Sequence, residues 1–240
     1  METLLEVTNL HVNLAGYHIL QGVNLTVPEH AVTVLLGRNG AGKTTTMRAI
    51  MGYVRAAAGE ISWRGQPLAG LRPYQIARRG IGYMPEEGHL FGNLTVQENL
   101  AMVGTKGTAH AARLERALTL FPDLRTAFAR RAGTLSGGQK QMLGLARLLV
   151  ADPALMLIDE PSKGLSPGMV EALAATLCVL RETSTILLVE QNFHLARRVG
   201  DYFSVIDEGH TCLSGAMAQL VERADWQRQY LGLAVTSGEV

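Results

Sequence analysis

Cysteine is nearly missing from this chain of 240 residues, which has only Cys178 and Cys212. Two isolated thiols exclude a disulfide framework and a cysteine-rich metal site, and a reducing compartment is the expected setting. An excess of charge of one sign is missing too, with 22 basic residues against 21 acidic ones. A broad electrostatic surface for nucleic acid is therefore not expected, and short clusters such as Arg78-Arg79 and Arg130-Arg131 read as solvated faces. No apolar run approaches the roughly 20 residues that span a bilayer. The opening Met1-Glu2-Thr3-Leu4-Leu5-Glu6 carries acid where a signal peptide would carry positive charge. Seven histidines are scattered without ligand spacing, so none is assigned to a metal. Internal repeats and low-complexity linkers are absent, and only Thr236 to Val240 reads as a loose tail.

What the chain does have is glycine in two phosphate-binding patterns. Gly37-Arg38-Asn39-Gly40-Ala41-Gly42-Lys43-Thr44 follows the apolar strand Val32 to Leu36 and precedes a helix that begins near Lys43. Glycines open backbone angles closed to other residues, so that successive N–H groups converge on phosphate oxygens at a helix N-terminus. The pattern fits a P-loop, in which Lys43 bridges the β- and γ-phosphates and Thr44 ligates Mg²⁺. Thr45 belongs to the same expected phosphate site.

Far downstream, Leu135-Ser136-Gly137-Gly138-Gln139 precedes a helical pattern running from Gln139 to Val150. Ser136 reads as its N-cap. Bare glycine amides at a helix N-terminus attract anions, so Ser136, Gly137, Gly138 and Gln139 are expected to meet a γ-phosphate, on a second molecule. The apolar run Leu155 to Ile158 then delivers Asp159-Glu160 at the end of a buried strand. Adjacent strand residues face opposite sides, so one carboxylate can serve a metal while the next reaches a water. Together these three segments predict ATP hydrolysis.

The remaining pattern predicts an α/β fold. Leu4 to Leu14 and Ile19 to Val27 alternate as strands around Ala15-Gly16, forming an antiparallel lobe that Gly59 to Trp63 extends. Ile81 to Met84 reads as a short core strand, and Thr95 to Leu149 as mainly helical, with breaks near Gly104 to Gly107 and at Pro122. A helix from Pro167 to Glu182 and a strand from Thr185 to Glu190 continue a parallel core. Phe203 to His210 reads as a hairpin. Leu213 to Leu233 contains an amphipathic stretch in which Trp226 and Tyr230 serve packing.

On these motifs the chain resembles an ATP-binding cassette (ABC) ATPase over nearly its whole length. Within that family it is most similar to the smaller ATPase subunit of branched-chain amino acid importers and their urea and amide relatives. The residues that carry this are Pro85-Glu86, Asn93 to Leu100, Glu160 to Pro167, Leu188 to Asn192 and Tyr230-Leu231-Gly232. The resemblance implies a P-loop NTPase fold with a parallel core sheet, an antiparallel β lobe and an inserted helical lobe. It places the nucleotide-binding core at residues 1–84 and 150–240 and the helical signature subdomain at 85–149. It makes Asp159 the Mg²⁺ partner and Glu160 the general base, puts Gln191 where a switch His is usual, and puts Glu86 where a metal-side Gln is usual. Adenine stacking is open: the usual aromatic position is Leu14, with Tyr17 three residues away.

The resemblance also implies partners. A second cassette would pair head to tail, as a heterodimer in the working complex, while a homodimer in isolation stays open; Ser162 to Ser166 would exchange contacts across it. Two transmembrane permeases, and indirectly an extracytoplasmic solute-binding protein, complete the expected importer at the inner face of the cell membrane. The permease contact is expected near Glu86 to Val96, where Leu90, Phe91 and Leu94 offer apolar surface or else pack inside the helical lobe. A regulatory or DNA-maintenance ATPase is the alternative, although the segment before Ser136 has no sustained heptads for a coiled coil.

Overall fold

The computed structural model describes residues 2–86, 88–104 and 107–232. Strands β1 (Thr3–Leu14) and β2 (Tyr17–Pro28) form a long hairpin that pairs Leu14 opposite Tyr17. Next come β3 (Val32–Leu36), α1 (Lys43–Ile50), β4 (Ala58–Trp63), the short β5 (Gln66–Pro67), α2 (Pro73–Arg78) and β6 (Ile81–Met84). The helical segment holds α3 (Val96–Ala101), α4 (Thr108–Leu120), α5 (Pro122–Thr126) and α6 (Gly137–Ala151). The chain then alternates β7 (Leu155–Asp159), α7 (Pro167–Arg181), β8 (Thr185–Val189), α8 (Phe193–Val199) and β9 (Tyr202–Asp207), and ends with β10 (His210–Ala216), α9 (Met217–Glu222) and α10 (Ala224–Leu231).

Two sheets result. The antiparallel one has the order β2-β1-β4-β5, and the larger one β10-β9-β3-β8-β7-β6, parallel except for its edge strand β10. Strand alternation divides the core between the two faces of the larger sheet. Leu35, Leu155, Leu157, Leu187 and Val189 point toward the antiparallel sheet and α1, whereas Val34, Met156, Ile158, Ile186 and Leu188 point toward α3 to α8. Both faces are covered, which explains why β3, β7 and β8 read as uninterrupted apolar runs.

Local chemistry sets the helix starts. Thr95 and Glu98 form a reciprocal capping box on α3, and Ser136 and Gln139 form another on α6. Pro122 opens α5 at a position that needs no amide donor. The expected break at Gly104 to Gly107 includes residues 105–106, which lie outside the described residues, as does the expected tail at Thr236 to Val240. The amphipathic stretch expected within Leu213 to Leu233 is present as helix from Met217, divided at Arg223, while Leu213, opposite Val205, still belongs to the β10 ladder. Leu233 lies outside the described residues. Trp226 and Tyr230 pack against the main core, with the Arg223 guanidinium 4.5 Å from the Trp226 ring centroid.

Candidate nucleotide site

The P-loop joins β3 to α1 and is shaped by glycines at two crowded points. Gly37 has φ +148° and a side chain there would sit 2.1 Å from the Ile206 carbonyl oxygen; Gly42 has φ +109° and faces Leu20 Cδ2 at 2.5 Å. No other residue fits either position without displacing a neighbour. Arg38, Asn39 and Gly40 are exposed, while Ala41 and Gly42 are buried beneath them, and Thr44 and Thr45 are half-buried at the start of α1.

Lys43 is 4% exposed and donates to the carbonyl oxygens of Gly37 at 2.8 Å and Arg38 at 3.0 Å. Its ammonium also lies 3.8 Å from Glu160 Oε1. Burial pulls its pKa down, and the carboxylates of Glu160, Asp159 and Glu190 pull it back up.

The two strand-end carboxylates part company. Asp159, fully buried, accepts from Thr44 Oγ1 at 3.3 Å and from the Tyr83 hydroxyl at 3.2 Å. Burial raises its pKa, opposed by those two hydrogen bonds. Burial also raises the Tyr83 phenol, and the Asp159 charge adds to this. Glu160 instead accepts from Gln191 Nε2 at 2.6 Å, and the same Nε2 lies 2.5 Å from Asn39 Oδ1. Strand alternation is not what separates the pair. β7 ends at Asp159, and Glu160 takes the left-handed φ of +46°, so a turn redirects the second carboxylate.

Glu86, expected beside Thr44 and Asp159, lines the same cavity as both and its charge acts on Asp159. It forms a short ion pair with Lys163, in the loop that follows Glu160. No cluster of three or more His, Cys, Asp and Glu side chains suited to a metal occurs among the described residues. The adjacent hydroxyl of Thr44 and carboxylate of Asp159 are nonetheless the hard oxygen donors that Mg²⁺ takes, with room for water and phosphate oxygens.

Ser136 and Gly137 are exposed at the start of α6. Ser136 Oγ accepts from Gln139 N–H at 3.2 Å, and the Gln139 side chain accepts from Ser136 N–H at 3.1 Å. Gly138 is buried, and a side chain there would strike Met169 Sδ at 2.2 Å. A cavity of about 700 Å³ runs from Thr44, Tyr83 and Asp159 to His89, Phe91 and Arg147 in the helical segment.

A family model described as ABC transporter matches residues 20–163. The chain belongs to the ABC transporter family. It is 38% identical over 216 residues, 89% of this chain and 93% of the other, to the high-affinity branched-chain amino acid transport ATP-binding protein BraG of Pseudomonas aeruginosa. It is also 32% identical, over 96% of its length and 98% of the other, to the lipopolysaccharide export system ATP-binding protein LptB of Haemophilus influenzae. Its fold matches a nucleotide-free ATP-binding cassette from an ABC transporter with a TM-score of 0.84 at 21% identity, covering 98% of this chain and all of that one. This cassette is thus an ATP-hydrolysing, nucleotide-binding transporter subunit with the α/β fold that its motifs predict. Among the described residues no helix is long and apolar enough to cross a membrane.

Two residues that matter to this ABC site's geometry were not singled out from sequence. Tyr83 sits on β6 and reaches Asp159; Glu190 directly follows β8, as Glu160 directly follows β7. The signal for Glu190 was an acid directly after five buried strand residues.

Proposed function

We propose that this ATPase energises a membrane importer for branched-chain amino acids or related small polar or amide solutes. The supporting observation is the Gln191–Glu160 contact beside Lys43, which brings the importer-like switch residue to the carboxylate assigned to water activation. The greater identity to BraG, over nearly the whole of both chains, supports the amino acid branch.

In this reading Lys43 leaves the Gly37 and Arg38 carbonyls for the β- and γ-phosphate oxygens, a charge-assisted exchange. Residues Gly37 to Gly42 and Thr45 wrap the phosphates. Thr44 and Asp159 hold Mg²⁺, which supplies charge neutralisation on the phosphates. Glu86 would join that set on leaving Lys163. Glu160 takes the proton of the attacking water, and the Gln191 amide orients the water or the γ-phosphate. Ser136, Gly137, Gly138 and Gln139 close the site of a second cassette, a different chain in the working complex. Tyr17, 73% exposed on the hairpin that touches Gly42 through Leu20, offers a ring face for adenine.

Two permeases and a solute-binding protein would complete the importer at the inner membrane face. Phe91, 45% exposed at the mouth of the large cavity, would meet the permeases, whereas Leu90 packs inward. Glu87 of that expected contact lies outside the described residues. The helical subdomain proposed at 85–149 would carry this contact and the signature together.

Uptake of labelled leucine, isoleucine, valine and urea tests the reading in cells that lack this chain and are complemented with wild type or Glu160→Gln. Uptake of at least one solute should depend on the wild-type chain and fail with the variant. Unchanged uptake of all four would overturn the importer assignment in favour of an exporting or regulatory cassette.

A further inference from the structure

Glu190 is 1% exposed and has no charged partner among its hydrogen bonds. Its Oε1 accepts from Ser162 N–H at 3.1 Å. Its Oε2 accepts from the Ser162 hydroxyl at 2.9 Å and from the N–H groups of Gln191 and Asn192, each at 3.1 Å. Four donors therefore converge on one buried carboxylate, from two different loops.

Those loops are the two that present Glu160 and Gln191. Ser162 follows Glu160 by two residues, just past the left-handed turn that redirects the Glu160 side chain. A non-glycine residue in that region is strained and persists only where its surroundings hold it. On the other side, the Gln191 peptide lies between the end of β8 and Asn192, whose side chain caps α8 by accepting from Leu195 N–H.

We propose that Glu190 is a positioning residue for ATP hydrolysis: its carboxylate clamps the Ser162 and Gln191 backbones together and so fixes the Glu160–Gln191 contact. The proposal rests on the assignment of Glu160 and Gln191 to water activation. Only an ionised carboxylate suits the task, because it accepts at every lone pair and donates at none. An amide of the same shape must turn an NH₂ toward a donor on at least one side, leaving a buried N–H unpaired. Ser162 also begins the loop expected to touch a second cassette, so the same clamp would transmit movement of that loop to Glu160.

The test measures ATP affinity and saturated turnover, with Mg²⁺, for the full chain and for Glu190→Gln, Ser162→Ala, Gln191→Ala, Glu160→Gln and the doubles with Gln191→Ala. Glu190→Gln should lower turnover at least tenfold with ATP affinity within twofold of wild type, and Ser162→Ala should lower it about threefold. In the Gln191→Ala background both losses should shrink, because the contact they position is gone. Full additivity, or an affinity loss matching the turnover loss, would overturn the clamp and make Glu190 a general fold residue. If Glu190→Gln does not fold, the Ser162→Ala cycle decides on the same criterion. Glu160→Gln separates the two failures: wild-type turnover there would remove the assignment of Glu160 itself, whereas an inactive Glu160→Gln beside an unaffected Glu190→Gln would remove only the clamp.

Discussion

Gln191 Nε2 stands between Glu160 Oε1 and Asn39 Oδ1, at 2.6 and 2.5 Å, and so ties the strand-end carboxylate to the P-loop. One amide group thus links three segments, with Glu160 31 and Asn39 152 residues away from Gln191 along the chain. Gln offers no titration near neutrality, unlike the imidazole usual at this position in the family. Gln191→Ala should lower hydrolysis tenfold or more, about 1.4 kcal/mol of transition-state stabilisation for each tenfold. Gln191→His should keep substantial activity and gain a pH dependence near the reference imidazole value of about 6.5. Rate against pH for the three proteins, assembled with a partner cassette, checks this; an Ala variant equal to wild type throughout would make Gln191 structural.

Lys43 and Ser136 should fail in different ways. The Lys43 ammonium is buried among loop carbonyls and carboxylates, and its removal would take away the cation proposed to face the phosphates. Lys43→Ala should weaken ATP binding to the single chain. Ser136 is exposed and its capping contacts are confined to the start of α6, so Ser136→Arg should spare that binding and, on the proposal that a second cassette completes the site, block hydrolysis. Titration with a fluorescent ATP analogue, alongside phosphate release, distinguishes them. Equal losses of affinity would contradict a site completed by a second cassette.

Glu160→Gln should retain ATP affinity, nearly abolish turnover and trap a paired form with ATP and Mg²⁺. The amide is the same size but cannot accept the proton of water. Its neighbour Gln191 already donates to Oε1, so the Gln carbonyl oxygen can keep that contact. Size exclusion with ATP and single-turnover hydrolysis provide the readout, and turnover near wild type would remove Glu160 from the mechanism.

The sequence was most legible where a residue type admits one backbone or one partner. Gly37 and Gly42 require positive φ and leave no space for a side chain, so the P-loop was readable from its letters. Ser136 and Gln139 are three residues apart, and their capping box is local. The uninterrupted apolar runs of β3, β7 and β8, buried on both faces, made the parallel core readable as well. Contacts between distant segments were not legible. The ion pair of Glu86 with Lys163 joins two distant loops, and the left-handed turn at Glu160 replaced the expected strand alternation. Each depends on which loops the fold brings together, and neither spacing nor propensity encodes that.

Tyr83 should govern how the nucleotide-free protein responds to pH through Asp159. The phenol donates to a buried carboxylate whose pKa burial has raised and whose hydrogen bonds from Thr44 and Tyr83 hold it down. A raised folded pKa means that the folded state binds the proton more tightly than the unfolded chain. This carboxyl therefore favours folding below its unfolded value of about 3.9 and loses that contribution as pH rises through its folded pKa. Tyr83→Phe removes one donor to the ionised form, so it should raise the Asp159 pKa further and extend the loss upward in pH. A hydrogen bond to a charged group contributes about 1.5–3 kcal/mol, and its removal matters most while Asp159 is ionised. The variant should accordingly melt below wild type at pH 7.5, and the difference in Tm should narrow as acid protonates Asp159. Thermal unfolding of both proteins from pH 7.5 down to pH 4 reads this directly. A difference in Tm that stays constant across that range would show that Tyr83 contributes only packing, with no hydrogen bond to an ionised Asp159.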